Sequence, residues 1–245
     1  MRLERLPSRE DVARRAADAF ARAVAARHDA RIVLPAGATP VPIYAELVRR
    51  CRDSELDLSG AHLFQLDELV GVPPEDARSF HAFLRAHLLD HVDRRADRDH
   101  LLDGASDVPT EEIARHGAAL ADLGGADLVL LGLGRNGHIA FNEPGSRATD
   151  GARVVELHDA TVQALQAGFA REAVPRHGLT LGLREIMTSR ELVLVVTGTS
   201  KAAILRDLLT GDAGASLPAS LIVSHPSLTI LADAEAHPDS VPSTA

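Results

Sequence analysis

The strongest constraint on the fold is a repeated pattern: a short, wholly apolar run breaks into glycine and then into a helical stretch. It occurs in RIVLPAGATP (31–40), DLVLLGLGRNG (127–137) and ELVLVVTGTSK (191–201). Runs that are apolar on both faces and rich in β-branched residues suit strands buried on both sides, as in a parallel sheet covered by helices. Glycine at the break permits tight turns and close approach of a ligand. Further runs at 61–66 and 228–232 extend the sheet. The expected fold class is α/β, a three-layer sandwich with a mostly parallel sheet.

The helices follow from periodicity and caps. Ser8 with Asp11, then Val12, Ala16, Phe20 and Val24, predicts a capped amphipathic first helix. Thr39 is the expected N-cap of a helix from about 41, with Pro40 at its first position. Helices are also expected over 79–92, over 110–123 with a cap at Thr110, over 160–171, and from about Lys201, with a turn at 174–178. The charged stretch 93–104 reads as a surface connector, and the tail from about 237 as frayed. No repeat or linker divides the chain, so 1–245 is expected to form a single α/β domain.

Composition excludes several classes of function. A net charge of −9 with no basic block opposes nucleic-acid binding. No run approaches the ~18 apolar residues of a membrane span, and the N-terminus lacks the apolar segment of a signal peptide, so a cytoplasmic protein is expected. The single cysteine, Cys51, excludes an internal disulfide and reads as a packing residue. His81, His87, His91, His100 and His116 show no metal-like spacing and read as surface or satisfied histidines. Neither a metal nor a cofactor is expected.

Chemistry-bearing residues gather at the strand ends, which a parallel sheet presents on one side. Backbone N–H groups around Gly37, Ala38 and Thr39 form a phosphate cradle, and Thr39 can cap its helix as well. Asp67 and Glu68 end the 61–66 run. Asp67 is either a carboxylate base or a turn and capping residue. His138 and Glu143 follow the glycines of LGLGRNGHIAFNEP. Of 26 basic residues 25 are Arg, and the one Lys, Lys201, stands at a helix N-terminus, where the helix dipole disfavours a cation unless an anion is bound.

PAGATP, LDELVG, GLGRNGHIAFNEP and GTSKA, in this order, resemble the glucosamine-6-phosphate deaminase (isomerase) family, which is related to the 6-phosphogluconolactonases. GHIAFNEP is the specific part, because the stretch after the histidine in the lactonases is not FNEP. The resemblance implies a Rossmann-like α/β sandwich and an amino-sugar phosphate deaminase, a hydrolase or isomerase in class, that converts glucosamine 6-phosphate or a close epimer to the ketose 6-phosphate and ammonia. It assigns ring opening to His138 with Glu143, enolisation to Asp67, and phosphate binding to Gly37, Ala38, Thr39 and Lys201.

The departures are specific. Asn136 stands where the family pattern has Asp, so the catalytic set becomes Asn136, His138 and Glu143. The amide oxygen is expected to accept from the imidazole N–H without adding charge, which leaves His138 a weaker base, and Asn136→Asp is expected to raise turnover. Leu69 replaces an aromatic. The region near Gln166 lacks the family's phosphate-binding Arg, a role for which Arg171 is a candidate. No amino-sugar effector site of the hexameric members is expected, and the assembly is expected to be a monomer or a small homo-oligomer. Two alternatives accompany this reading: a lactonase or aldose-ketose isomerase on another sugar phosphate, and a sugar-phosphate-binding protein impaired by Asn136.

Overall fold

The computed structural model describes residues 1–169, 172–211 and 216–237. In chain order the first half comprises β1 (Arg2–Leu6), α1 (Arg9–Ala26), β2 (Arg31–Leu34), α2 (Val41–Arg52), β3 (His62–Gln65), β4 (Asp67–Leu69), α3 (Phe80–His87), β5 (Asp99–His100) and α4 (Pro109–Asp122). The second half adds β6 (Leu128–Gly132), β7 (Arg153–Glu156), α5 (Asp159–Phe169), β8 (His177–Thr180), α6 (Leu183–Met187), β9 (Glu191–Val196), α7 (Ala202–Thr210) and β10 (Leu228–Asp233). A parallel sheet has the order β1-β10-β9-β6-β2-β3-β5, and a smaller antiparallel sheet the order β4-β8-β7.

The apolar runs are buried on both faces because alternate side chains enter two different cores. On β6, Leu128 and Leu130 join Phe20, Tyr44 and Leu84 of α1, α2 and α3. Val129 and Leu131 join Leu120, Ile186 and Leu205 of α4, α6 and α7 on the opposite face. This is the expected three-layer sandwich. Where β2 and β6 begin, Arg31 and Asp127 form a buried ion pair with an Nε–Oδ2 distance of 2.7 Å. Asp127 also accepts the Arg31 backbone N–H at 2.9 Å. Removing one member of such a pair costs about 3–5 kcal/mol, since the other is left charged and buried.

Several local expectations are corrected. Ser8 does cap α1, accepting from the Asp11 N–H at 3.1 Å and donating to the Asp11 carboxylate at 2.7 Å. Thr39 and Thr110 do not cap: α2 follows Pro40 and has Pro42 in its first turn, and α4 follows Val108 and begins at Pro109. Proline fixes the first-turn φ and carries no N–H that needs a cap.

The connector 93–104 holds β5, whose His100 ring stacks on Phe64 with centroids 3.9 Å apart, and Leu102, which is buried. The expected turn at 174–178 overlaps β8. The expected helix over 79–92 stops at His87 and continues as a 3-10 turn, Leu89–His91. The expected frayed tail, apart from residue 237, lies outside the described residues, as does Arg171.

Candidate active site

From β2 the chain builds outward to β3 and β5 on one side, while β6, β9 and β10 build outward on the other. The switch point lies between β2 and β6. There the loops beyond their C-terminal ends diverge and leave a crevice, the usual ligand position in an open parallel sheet. A cavity of about 420 Å³ occupies it, lined by Gly37, Ala38, Thr39, Asp67, His138 and Lys201 among others. Six of the eight expected site residues therefore share one cavity. Asn136 and Glu143 stand outside its lining. A larger hollow of about 900 Å³ lies at the other end of the strands, where Arg22 and Arg190 are engaged with Glu191 and Asp127.

The loop after β6 is shaped around His138. A Cβ on Gly134 would lie 2.4 Å from the imidazole, so only glycine lets the ring rest on that backbone. Ala140 is left-handed at φ 52°, an uncommon conformation for a residue with a Cβ, costing roughly 1 kcal/mol. Asn142 holds the bend: its buried amide donates to the carbonyls of Ile139 and Leu181, both at 3.0 Å, and accepts from Arg153 at 2.9 Å. The turn thereby returns Glu143 to His138.

The imidazole Nδ1 lies 3.1 Å from the Thr161 hydroxyl and 3.5 Å from the Glu143 carboxylate. Nδ1 is thus committed to the protein, and Nε2 is the nitrogen left for a ligand. The expected bond from imidazole to Asn136 is not formed. Asn136 instead donates from Nδ2 to Glu143 Oε2 at 2.8 Å and accepts the His138 backbone N–H at 3.2 Å. Glu143 also receives the His158 N–H at 3.3 Å. Asn136 is a support for the carboxylate rather than a partner of the ring.

Asp67 sits where the chain leaves one sheet for the other. Leu66 bonds to β2 through the Leu34 carbonyl at 3.0 Å, and Asp67 then pairs with Thr180 of β8. The capping role belongs to Glu68, which accepts from the backbone N–H groups of Leu69, Phe80 and His81 and from the Gln65 amide. Among the described residues the Asp67 carboxylate has no hydrogen-bond donor. It is 7 % exposed, and its exposed part meets the cavity. Lys201, at the start of α7, donates from Nζ to the Leu133 carbonyl at 2.7 Å, which leaves two ammonium protons for a ligand.

Residues 7–230 match the family model described as glucosamine-6-phosphate isomerases/6-phosphogluconolactonase. The chain belongs to this family. A glucosamine-6-phosphate deaminase of Bacillus velezensis is 38% identical over 93% of this chain and 95% of its own. One from Corynebacterium aurimucosum is 40% identical over 91% and 87%. The fold superposes on a solved monomeric glucosamine-6-phosphate deaminase with a TM-score of 0.92 and 33% identity, over 96% of this chain and 98% of the other. The 6-phosphogluconolactonase of Thermotoga maritima, at 19% identity and a TM-score of 0.76, over 94% of this chain and 98% of the other, shares the fold. The hydrolase half of the expected class is not supported, because the family model and these deaminases are described as isomerases and deaminases.

The Asp67 and Glu143 carboxyls have opposite electrostatics. Burial, with the adjacent Glu68, pushes the Asp67 carboxyl up to about 8. Burial also opposes charge on Glu143, yet hydrogen bonds with His138, Thr161 and Asn136 outweigh it and draw the carboxyl down to about 2. Burial, then the nearby Arg135, pulls the Lys201 ammonium below its usual range. Cys51 is half-buried, and desolvation raises its thiol to about 11, in keeping with a packing role.

Thr161 and Arg135 escaped the sequence reading. Thr161 carries no motif, and only its place in the first turn of a helix packed beside the loop brings it to the imidazole. Arg135 lies inside the glycine motif but was one of 25 arginines.

Proposed function

We propose that this protein is a glucosamine-6-phosphate deaminase that forms fructose 6-phosphate and ammonia from its substrate and water. The observation carrying this reading is the His138 imidazole, backed on Nδ1 by Glu143 and Thr161, sharing a cavity with the buried, unbonded Asp67. Similarity to deaminases at 35–40% identity, over most of both chains, accompanies it.

The chemistry needs two separate proton stations. With Nδ1 facing an ionised Glu143, Nε2 is free to take the proton from the anomeric hydroxyl and return one to the ring oxygen, opening the sugar to the aldehyde. Glu143 stabilises the transient imidazolium without itself being protonated, because its own carboxyl titrates far below neutrality. Asp67, once ionised, removes the proton from C2 and delivers it to C1. The resulting C2 imine takes up water and expels ammonia. The substrate ammonium on C2 would draw the Asp67 proton off, so a carboxyl that rests mostly neutral becomes a base when its substrate binds.

Gly37, Ala38, Thr39 and Lys201 would hold the phosphate and so fix the reacting end of the open chain. A substrate that carries a phosphate and an ammonium does not cross a bilayer unaided, which suits the expected cytoplasmic setting. Among the described residues no helix is long and apolar enough to cross a membrane. The test is release of ammonia with equimolar ketose phosphate from glucosamine 6-phosphate, run beside galactosamine 6-phosphate and 6-phosphogluconolactone. Lactone hydrolysis without ammonia release from either amino sugar would reject the reading.

A further inference from the structure

Resting on the deaminase reading, we infer that Arg135 is the second cationic ligand of the substrate phosphate, taking the place of the arginine that the family resemblance expects near Gln166. A phosphate monoester carries close to two negative charges at neutral pH, and Lys201 supplies one positive charge. Gln166 lies on the exposed side of α5, outside the cavity lining, with its amide donating to the Glu172 carbonyl at 3.3 Å. Arg135 does line the cavity.

Three observations join Arg135 to Lys201. The Lys201 ammonium, reaching over from the start of α7, is anchored on the carbonyl of Leu133, two residues before Arg135, so both cations meet at the same stretch of the β6 loop. That stretch is fixed, since the Gly134 N–H bonds to the His138 carbonyl at 3.0 Å and the Gly137 N–H to the Gly134 carbonyl at 3.1 Å. Finally, the guanidinium has no ion pair and no hydrogen bond among the described residues, in a chain where Arg31, Arg49, Arg78 and Arg153 are all engaged with acidic side chains. An unpartnered guanidinium beside a half-buried ammonium is an unfavourable arrangement until an anion bridges them. Burial chiefly, and then repulsion from Arg135, lowers the affinity of Lys201 for its proton.

The placement has a further consequence. Arg135 immediately precedes Asn136, which holds Glu143, and lies three residues before His138. Phosphate seated on Arg135 would therefore steady the segment that performs ring opening, so its loss should touch kcat as well as KM.

The experiment compares the full-length protein with Arg135→Ala and Arg135→Lys. Three quantities are read: kcat and KM for glucosamine 6-phosphate, competitive inhibition by inorganic phosphate, and calorimetric binding of inorganic phosphate. Arg135→Ala should raise KM and weaken inorganic phosphate together, each by about tenfold or more, the scale of one lost charge-assisted contact. Arg135→Lys should recover part of both, because it restores the charge but not the fork. Values for Arg135→Ala within about twofold of wild type would overturn the assignment. So would a fall in turnover with unchanged phosphate affinity, which is the mark of a merely structural residue. If the wild-type protein released no ammonia, the deaminase reading would fail, and the calorimetric arm would still decide whether Arg135 binds phosphate.

Discussion

Asn136→Asp is expected to lower turnover, in a way that grows with pH. In the wild-type site the Asn136 amide donates to Glu143 Oε2 at 2.8 Å, and Glu143 is ionised from about pH 2 upward. The substitution removes that donor and sets a second carboxylate against the first. Two unit charges at such a distance repel by on the order of 3 kcal/mol in a partly solvated site, equivalent to about two pKa units. The pair then titrates as a unit, its second proton leaving near pH 6 rather than near 4.

Below that pH the new carboxyl is protonated, and its O–H replaces the amide N–H as the donor to Glu143. Above it residue 136 no longer donates, only the His158 N–H is left among the donors described above, and the new carboxylate pushes Glu143 from the imidazole. The assay is ammonia release from pH 5 to 9, expressed as the ratio of variant to wild-type kcat, so that the titration of Asp67 cancels. The ratio should sit near one-half at pH 5 and fall to about one-tenth at pH 8, corresponding to about 1.4 kcal/mol of lost transition-state support. A ratio at or above one across the whole range would refute the argument and restore the view that a missing carboxylate limits ring opening.

Asp67→Asn should reduce kcat by about a thousandfold, the scale of lost general-base catalysis. It should also stabilise the fold at alkaline pH. The folded Asp67 carboxyl is raised to about 8, above its unfolded value, so its contribution is complete below about pH 4 and is lost as pH rises through 8. Melting curves should nearly coincide at about pH 4 and separate as pH rises toward 8, and at pH 9 the variant should gain on the order of 4–6 kcal/mol; equal melting points at pH 9 would contradict the burial argument. Thr161→Val keeps the shape but deletes the hydroxyl 3.1 Å from His138 Nδ1, and kcat should drop about three- to tenfold with KM little changed. Lys201→Ala should raise KM by about ten- to a hundredfold and lower kcat less, and a pure kcat defect would place the ammonium elsewhere in the mechanism.

The central strands were legible in the sequence because each is apolar on both faces, a property that depends on local composition alone. β1 was not, since only Leu3 of its five residues is buried and its charges suit an outer position. The β4-β8-β7 sheet escaped because its strands are three or four residues long, too short to show alternation. Within the site, residue identities were readable from motifs while their partners were not. Asn136 is the clearest instance: its neighbour in the chain suggested a bond to His138, but the bend at Ala140 brings round Glu143, which takes the amide instead.

β1 pairs in parallel with β10, Arg2 beside Thr229 through Leu6 beside Asp233. On a ribosome β1 is therefore without its partner until more than two hundred further residues have emerged. Residues 2–6 wait as an open strand while the sheet they will border is still being assembled, and closure is a late, long-range event, the slow kind of contact in folding. The charges that hid this strand suit such an interval: Arg2, Glu4 and Arg5 disfavour pairing of an open edge with other chains, and in the folded protein Glu4 is tied at 2.8 Å to Arg15 of α1, a contact local in sequence that does not depend on β10.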